Sequence, residues 1–404
     1  MNNPKLKITY ISCMLLRFVI SNFLSFDAIT EFNTFPGPCT SHPHHIYDGG
    51  KVKALKSTAI YGANGAGKSN LIDVLENLQC WVKAGYISTS NSRQKFRLKI
   101  ENQDKPSSFL IEFFTAEKIF LYGLTIDDNN VLEEYLYESG IDKEPSLLFK
   151  HHENKLRLYT HKEAYTWITT QLIIIRHNTG LIECLHELCI NPAFFSFSNE
   201  LLRTLDTGID FLTLKKTPRT EFMAEYDPKD EHPELLLEPR KIFTVNNRRI
   251  FTTKENDQII INLITAFHHN FPFDLMEEST GSKRLLELMP VCWSMIHSPA
   301  TIIIDEVEQS IHPVLIIALI KKIMHYTKSK GQLIFTTHES NLLDPDIFRN
   351  DEIWFAVKDQ ETGATGLYSL NDFIINNKLD IRKGYLINRF GAIPFTAPLE
   401  LLKW

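Results

Sequence analysis

Residues 62–69 read Gly62-Ala63-Asn64-Gly65-Ala66-Gly67-Lys68-Ser69, with glycine, lysine and serine at the spacing of a phosphate-binding loop. Each residue type answers a physical demand. Glycines let the backbone curl tightly and turn its N–H groups toward phosphate oxygens, and a helix opening at Lys68 adds the positive end of its dipole. Lys68 reaches the terminal phosphates, and the Ser69 hydroxyl is a ligand for Mg²⁺. Asn64, Gly65, Ala66, Gly67, Lys68, Ser69 and the following Asn70 are therefore the expected nucleotide-binding residues. An apolar β run at 57–61 precedes the loop and an amphipathic helical pattern at 67–80 follows it. A glycine-rich turn without a ligand is the bland alternative, and this strand-before, helix-after setting weighs against it.

A second group of residues lies far downstream. Thr301-Ile302-Ile303-Ile304-Asp305-Glu306 is an apolar β run ending in two acids. Asp305 suits Mg²⁺ binding through water, and Glu306 suits orienting and polarising an attacking water. Another β run, from Gln332, delivers Thr336-Thr337-His338, and His338 can bond a γ-phosphate. Alone, an apolar run with Asp-Glu is a weak signal, and a histidine at a strand end is more often structural. Upstream, Glu278-Ser279-Thr280-Gly281-Ser282 opens a helical pattern running through Met289. Ser279 and the Gly281 backbone could bind a phosphate at that helix start, or Ser279 could simply be its cap.

The order of these motifs, phosphate loop, serine-glycine signature, acid strand, then Thr-His after one helix, is that of an ABC-type head. P-loop kinases and small GTPases do not show it. In ABC geometry the phosphate at Ser279 belongs to ATP held by a partner copy.

These residues need an α/β layer to position them. Strand-like runs at 15–23, 57–61, 108–114, 119–126, 242–245, 300–304, 332–336 and 352–357 alternate with helical patterns, notably 67–80 and 313–328. Residues 146–240 differ from both flanks, with helical patterns at 166–188 and 199–205 and then a polar segment at 215–240. The expected organisation is one split head: 1–145 as its N-terminal half with the phosphate loop and an antiparallel β subdomain, 146–240 as a mainly helical insertion, and 241–404 as its C-terminal half. An independent middle domain is the alternative.

The 404 residues are 43% hydrophobic and 23% charged, and this balance excludes a disordered chain. Net charge is −6, so no overall basic field draws the molecule onto nucleic acid. The six cysteines form no Cys-x-x-Cys pair, and a reducing, cytoplasmic setting is expected. Cys39, His42, His44 and His45 could be drawn as a metal site, but they stand in a proline- and glycine-rich loop without the paired spacing of structural zinc. The apolar stretch 8–26 is divided by Arg17, which leaves no run long enough to span a membrane. Residues 1–13 read as an upstream extension, because Met14 opens a natural protein start.

The chain resembles the ABC-type ATPases of prokaryotic anti-phage cassettes, the abortive-infection and OLD-like proteins that include ATPase subunits of the PARIS, Septu and RloA-type systems. The resemblance rests on Asn22-Phe23-Leu24-Ser25-Phe26, IYGANGAGKSNL, Tyr122-Gly123-Leu124 with Glu133 and Glu134, Glu278-Ser279-Thr280-Gly281, IIIDEVEQSIHP, TTHESNLLD, and the tail segments 351–355, 384–386 and 389–394. It covers nearly everything outside 145–240.

What the resemblance implies is a head of the SMC and RecF group that dimerises or assembles on ATP with Mg²⁺ and hydrolyses it slowly. It further implies a sensor or scaffold that answers a phage-derived trigger and restrains a separately encoded effector, a nuclease in many such systems. Roughly 65 residues follow His338, too few for a fused Toprim nuclease. Three departures stand out. Thr280 replaces the first signature glycine, no D-loop aspartate follows Glu306, and the Mg²⁺-sensing glutamine has only Gln94 and Gln103 as candidates, of which Gln94 is preferred.

Two other functions compete. A RecF/SMC-like DNA-repair ATPase would clamp duplex DNA, but only short basic clusters such as Arg248-Arg249 and Lys321-Lys322 support it. A transporter subunit would have a shorter interval than the roughly 210 residues between Lys68 and Ser279, and a membrane partner.

Overall fold

The computed structural model describes residues 13–50, 52–88, 94–128, 130–140, 143–176, 180–205, 207–224, 238–245, 248–374 and 380–393. The expected extension, apart from Cys13, lies outside them, as do residues 225–237 of the polar segment and Pro394. The chain divides into two units: Met1–Ile175 with Ser294–Glu308 and Ile316–Trp404, and Arg176–Trp293 with Gln309–Leu315.

The first unit holds two large sheets. One has the strand order Leu172–Ile175, Thr301–Ile304, Gln332–Thr337, Ser57–Gly62, Ile353–Lys358, Thr365–Ser369. Its first five strands are parallel and the last is antiparallel. Every residue of Ser57–Gly62, Thr301–Ile304 and Gln332–Thr337 is buried, as expected of strands covered on both faces and rich in β-branched side chains.

The other sheet is antiparallel throughout, in the order Thr30–Asn33, Met14–Ser21, Ser107–Thr115, Lys118–Asp127, Asn130–Gly140, Lys143–His151. Helix Lys68–Ala84 joins the two sheets into one core. Its Leu71, Leu75, Leu78 and Trp81 share an apolar cluster with Ile60, Ile303 and Ile334 of the parallel sheet and with Phe109, Ile111 and Tyr122 of the antiparallel one. Phe23, Trp81 and Phe109 meet edge to face at 5.0–5.8 Å, and Phe113 stacks on Trp167 at 4.1 Å.

The second unit combines helices Gly180–Ile190 and Pro192–Thr204 with a five-stranded antiparallel sheet. Asn191 starts the second of these helices, its side chain accepting from the Phe194 N–H at 3.1 Å with Pro192 at the first position. Helix Thr280–His297 contributes Leu286 and Met289 to this unit's core.

Three expectations need correction. Residues 166–188 are not one helix: Leu172–Ile175 is a strand pairing in parallel with Thr301–Ile304. A short run of isoleucines suits a buried helix and a buried strand equally, and pairing decides between them. The described part of the middle segment holds more helix than strand, yet it is not helical throughout: Phe211–Pro218 takes part in a sheet with Gln258–His268. The boundaries move with it: Lys143–His151 completes the antiparallel sheet of the first unit, and the second unit runs from Arg176 to Trp293 rather than from 146 to 240. The helix expected to end at Met289 continues through Pro290 to His297, a proline in mid-helix costing one backbone bond that packing overrides.

Candidate functional site

Sequence order and spatial order differ in the parallel sheet. The His338 strand lies between the strand feeding the phosphate loop and the strand feeding the acids, with Thr337 opposite Tyr61 and Ile304 opposite Phe335. Parallel strands end on the same side, so residues 62–69, 305–308 and 338 meet at the carboxyl edge, where α/β sheets bind ligands.

Glycine is required at two points of the loop. Gly62 ends its strand where a Cβ would meet the Ala356 carbonyl oxygen at 2.4 Å. Gly67 has φ +97°, and a Cβ there would lie 2.0 Å from Oγ1 of Thr365. Thr365 braces the loop from behind, donating to the Ala66 carbonyl at 2.9 Å and accepting from Ser25 Oγ at 2.7 Å. Asn64 and Gly65 are exposed at the turn, and Ala66 and Gly67 are buried beneath it.

Lys68 is 4% exposed and its ammonium turns back onto the loop. Nζ donates to the Gly62 carbonyl at 2.8 Å and the Ala63 carbonyl at 3.1 Å, and lies 2.9 Å from Nε2 of His338. Burial pulls the lysine down to about 8, against the opposing pull of Glu306, Glu308 and Asp305. His338 is lowered too, by burial first and by Lys68 second. A neutral imidazole accepting from the ammonium satisfies both groups.

Ser69 Oγ lies 3.3 Å from Asp305 Oδ1, which also accepts from Thr336 Oγ1 at 2.6 Å. Thr336 Oγ1 in turn accepts from the Glu306 N–H at 2.8 Å, so one threonine fixes both acids. Glu306 sits at φ +47°, a left-handed conformation costly for a non-glycine residue and frequent at functional sites. Hydroxyl and carboxylate oxygens from Ser69 and Asp305 form the hard donor set that Mg²⁺ prefers.

Glu308 was not anticipated. Its Oε1 accepts from the His338 N–H at 2.5 Å, and its Oε2 is buried without a hydrogen-bond partner. Its only signal in the sequence was the run Asp305-Glu306-Val307-Glu308, where the third acid falls two residues past the strand-end pair. Thr336 and Thr365 carried no separate signal, because an unpaired threonine says nothing about what its hydroxyl will meet.

Gln94 lies on one open cleft with Gly65 and Asn70 and accepts from Asn77 Nδ2 at 3.2 Å. Ser279 is the start of its own helix: its Oγ accepts from the Ser282 N–H at 3.0 Å, and its carbonyl takes the first helical bond from Lys283. Gly281 packs so closely that a Cβ would lie 2.9 Å from the Ser310 carbonyl oxygen. Both belong to the second unit. Glu134 is brought to none of these groups. It is a buried structural acid that accepts from Tyr122 Oη at 2.9 Å and the Arg157 N–H at 2.7 Å.

The family model described as "AAA domain, putative AbiEii toxin, Type IV TA system" matches residues 57–344, more than two thirds of the chain. The protein belongs to this family. The match begins at the first residue of the phosphate-loop strand and ends six residues beyond His338, so it spans the loop, Gln94, the Ser279 helix, the acids and His338, while Ser25 and Thr365 lie outside it.

Among solved structures, an SMC head bound to the C-winged helix domain of ScpA has a TM-score of 0.52 at 12% identity, covering 88% of this chain and 97% of that one. It shows the fold: an SMC-head-like P-loop ATPase of mixed α/β type. The SMC head domain from Thermotoga maritima has a TM-score of 0.44 at 13% identity, covering 88% of this chain and 98% of that one. An SMC head with extended coiled coil from Pyrococcus furiosus, bound to the C-terminal domain of ScpA, has 0.47 at 12%, covering 94% and 99%. No curated protein matches the chain. Among the described residues, no helix of this AAA-domain protein is long and apolar enough to cross a membrane.

Proposed function

We propose that this protein binds and slowly hydrolyses ATP between two copies, and that the resulting assembly is the sensor or scaffold of an anti-phage system that restrains a separately encoded effector, a nuclease by the chemistry of such systems. The observation that supports the reading best is the meeting of Lys68, His338, Ser69 and Asp305 within one compact unit, although they are scattered over 271 positions of the chain.

Lys68 would leave the loop carbonyls for the β- and γ-phosphates, Ser69 and Asp305 would hold Mg²⁺, and Glu306 would orient the attacking water. Bound Mg²⁺ would neutralise phosphate charge. His338 faces the γ-phosphate, Gln94 reaches the same region from the cleft beside Asn70, and Ser279 with Gly281 of a second copy closes the far side. The fold is compatible with binding a partner protein, since a head of similar fold is recorded bound to a domain of ScpA.

Size-exclusion chromatography with light scattering tests the core of this reading: a non-hydrolysable ATP analogue with Mg²⁺ should double the mass or more. Protein that neither binds ATP nor changes mass overturns it. Co-purification with mass spectrometry should recover the effector. Titration on duplex DNA separates the repair-clamp alternative, for which affinity would fall steeply with salt.

A further inference from the structure

Cys39, His42, His44 and His45 lack the spacing of a zinc motif, yet the fold gathers three of them. One ring nitrogen from each of His42, His44 and His45 lies within 4.8 Å of the others. The His42 and His45 rings stack at 4.9 Å, and the His44 and His45 rings meet edge to face at 4.5 Å. Cys39 stands apart, its Sγ paired with Ser41 Oγ at 3.0 Å.

The surroundings hold these rings as a metal site holds its ligands. A carbonyl oxygen only accepts, so each ring nitrogen facing one carries the proton. His42 Nε2 donates to the Pro345 carbonyl at 2.8 Å and His44 Nε2 to the Met324 carbonyl at 3.1 Å, which leaves Nδ1 of each ring with its lone pair. His45 Nδ1 lies 2.9 Å from the carboxylate of Glu352, a fully buried acid that also accepts from Ser57 Oγ and the Arg349 N–H. Metal-binding histidines characteristically give their second ring nitrogen to a carbonyl or carboxylate in this way, which fixes the tautomer and raises ligand basicity. His45 Nε2 faces the Met324 carbonyl at 3.0 Å and so carries a proton, which the ion would displace to solvent together with that bond.

We propose that His42, His44 and His45 bind a divalent transition-metal ion of the zinc class, with Glu352 as the outer carboxylate behind His45. Ligand bonds of about 2.0–2.1 Å require the three nitrogens to draw closer by ring rotation. The ion would fasten the loop carrying these histidines to the end of helix Pro313–Met324, which connects the acid strand to the His338 strand. Its role is structural, and it does not depend on the ATP reading. A second cluster of this kind among the described residues, Glu183, His186 and Glu187, is set aside because the guanidinium of Arg240 lies 3.1 Å from the His186 ring.

The test uses the full chain stripped by chelator, then titrated with Zn²⁺ or Co²⁺ in excess Mg²⁺ to occupy the site at Ser69 and Asp305. The expected result is about one ion per chain, visible Co²⁺ ligand-field absorption, a zinc absorption-edge shell containing imidazole nitrogens, and a raised melting temperature. His42→Ala/His44→Ala should lose the absorption while keeping its far-ultraviolet dichroism. If that variant fails to fold, the zinc shell of the wild-type protein decides alone. No bound ion at micromolar metal, a shell of oxygens only, or Co²⁺ absorption that survives in a folded double variant overturns the proposal.

Discussion

The ammonium of Lys68 lies 2.9 Å from Nε2 of His338, a contact between residues 270 apart in sequence. The same ammonium holds the Gly62 and Ala63 carbonyls, so three bonds keep it folded onto its own loop. A triphosphate must compete with all three. Were it to displace them, His338 would lose the neighbouring cation that helps hold it neutral.

Lys68→Ala should weaken ATP binding by about 10- to 100-fold or more, the worth of one to two charge-assisted hydrogen bonds to phosphate. Isothermal titration calorimetry reads this directly. An unchanged dissociation constant would remove Lys68 from the phosphate site.

ATP affinity should fall as pH rises above about 8, where burial places Lys68 in the empty protein. Phosphate favours the charged ammonium, so binding at pH 9 should take up protons, measurable by titration in buffers of different ionisation enthalpy. Stability runs the other way. Because the unfolded lysine titrates near 10.5, the unfolded chain holds the extra proton between about 8 and 10.5, and this group's contribution to the stability of the nucleotide-free fold rises with pH across that window. Glu308→Gln removes one of the acids that hold the lysine up, and the loss of affinity should begin at lower pH.

Glu306→Gln should retain ATP and lose about 10²- to 10⁴-fold in turnover, the usual worth of a positioned general base. Light scattering with ATP and Mg²⁺ should then find a long-lived assembly. Wild-type turnover in this variant would assign the water to another group.

Gly67→Ala should destabilise the protein by about 1–3 kcal/mol, since it adds a Cβ at a left-handed position and against Thr365 Oγ1. Thermal melts report the loss, and nucleotide protection of the melt should vanish with it. A variant that melts and binds like wild type would show that the loop does not adopt this conformation.

The local chemistry was legible in the residues alone. Gly62 to Ser69, the apolar run into Asp305-Glu306 and the run into His338 each carry a motif whose backbone demands are met within a few neighbouring residues, and all eight strand-like runs recur as strands. Tertiary structure decided what depends on partners distant in sequence. Leu172–Ile175 became a strand because Thr301–Ile304 offered an unpaired edge, and no periodicity in four apolar residues could announce that. Glu308 entered the site, and His42, His44 and His45 drew together, through contacts with His338, Met324 and Glu352. A hydrogen bond between groups tens to hundreds of residues apart leaves no trace in local spacing, so only the folded chain could place them.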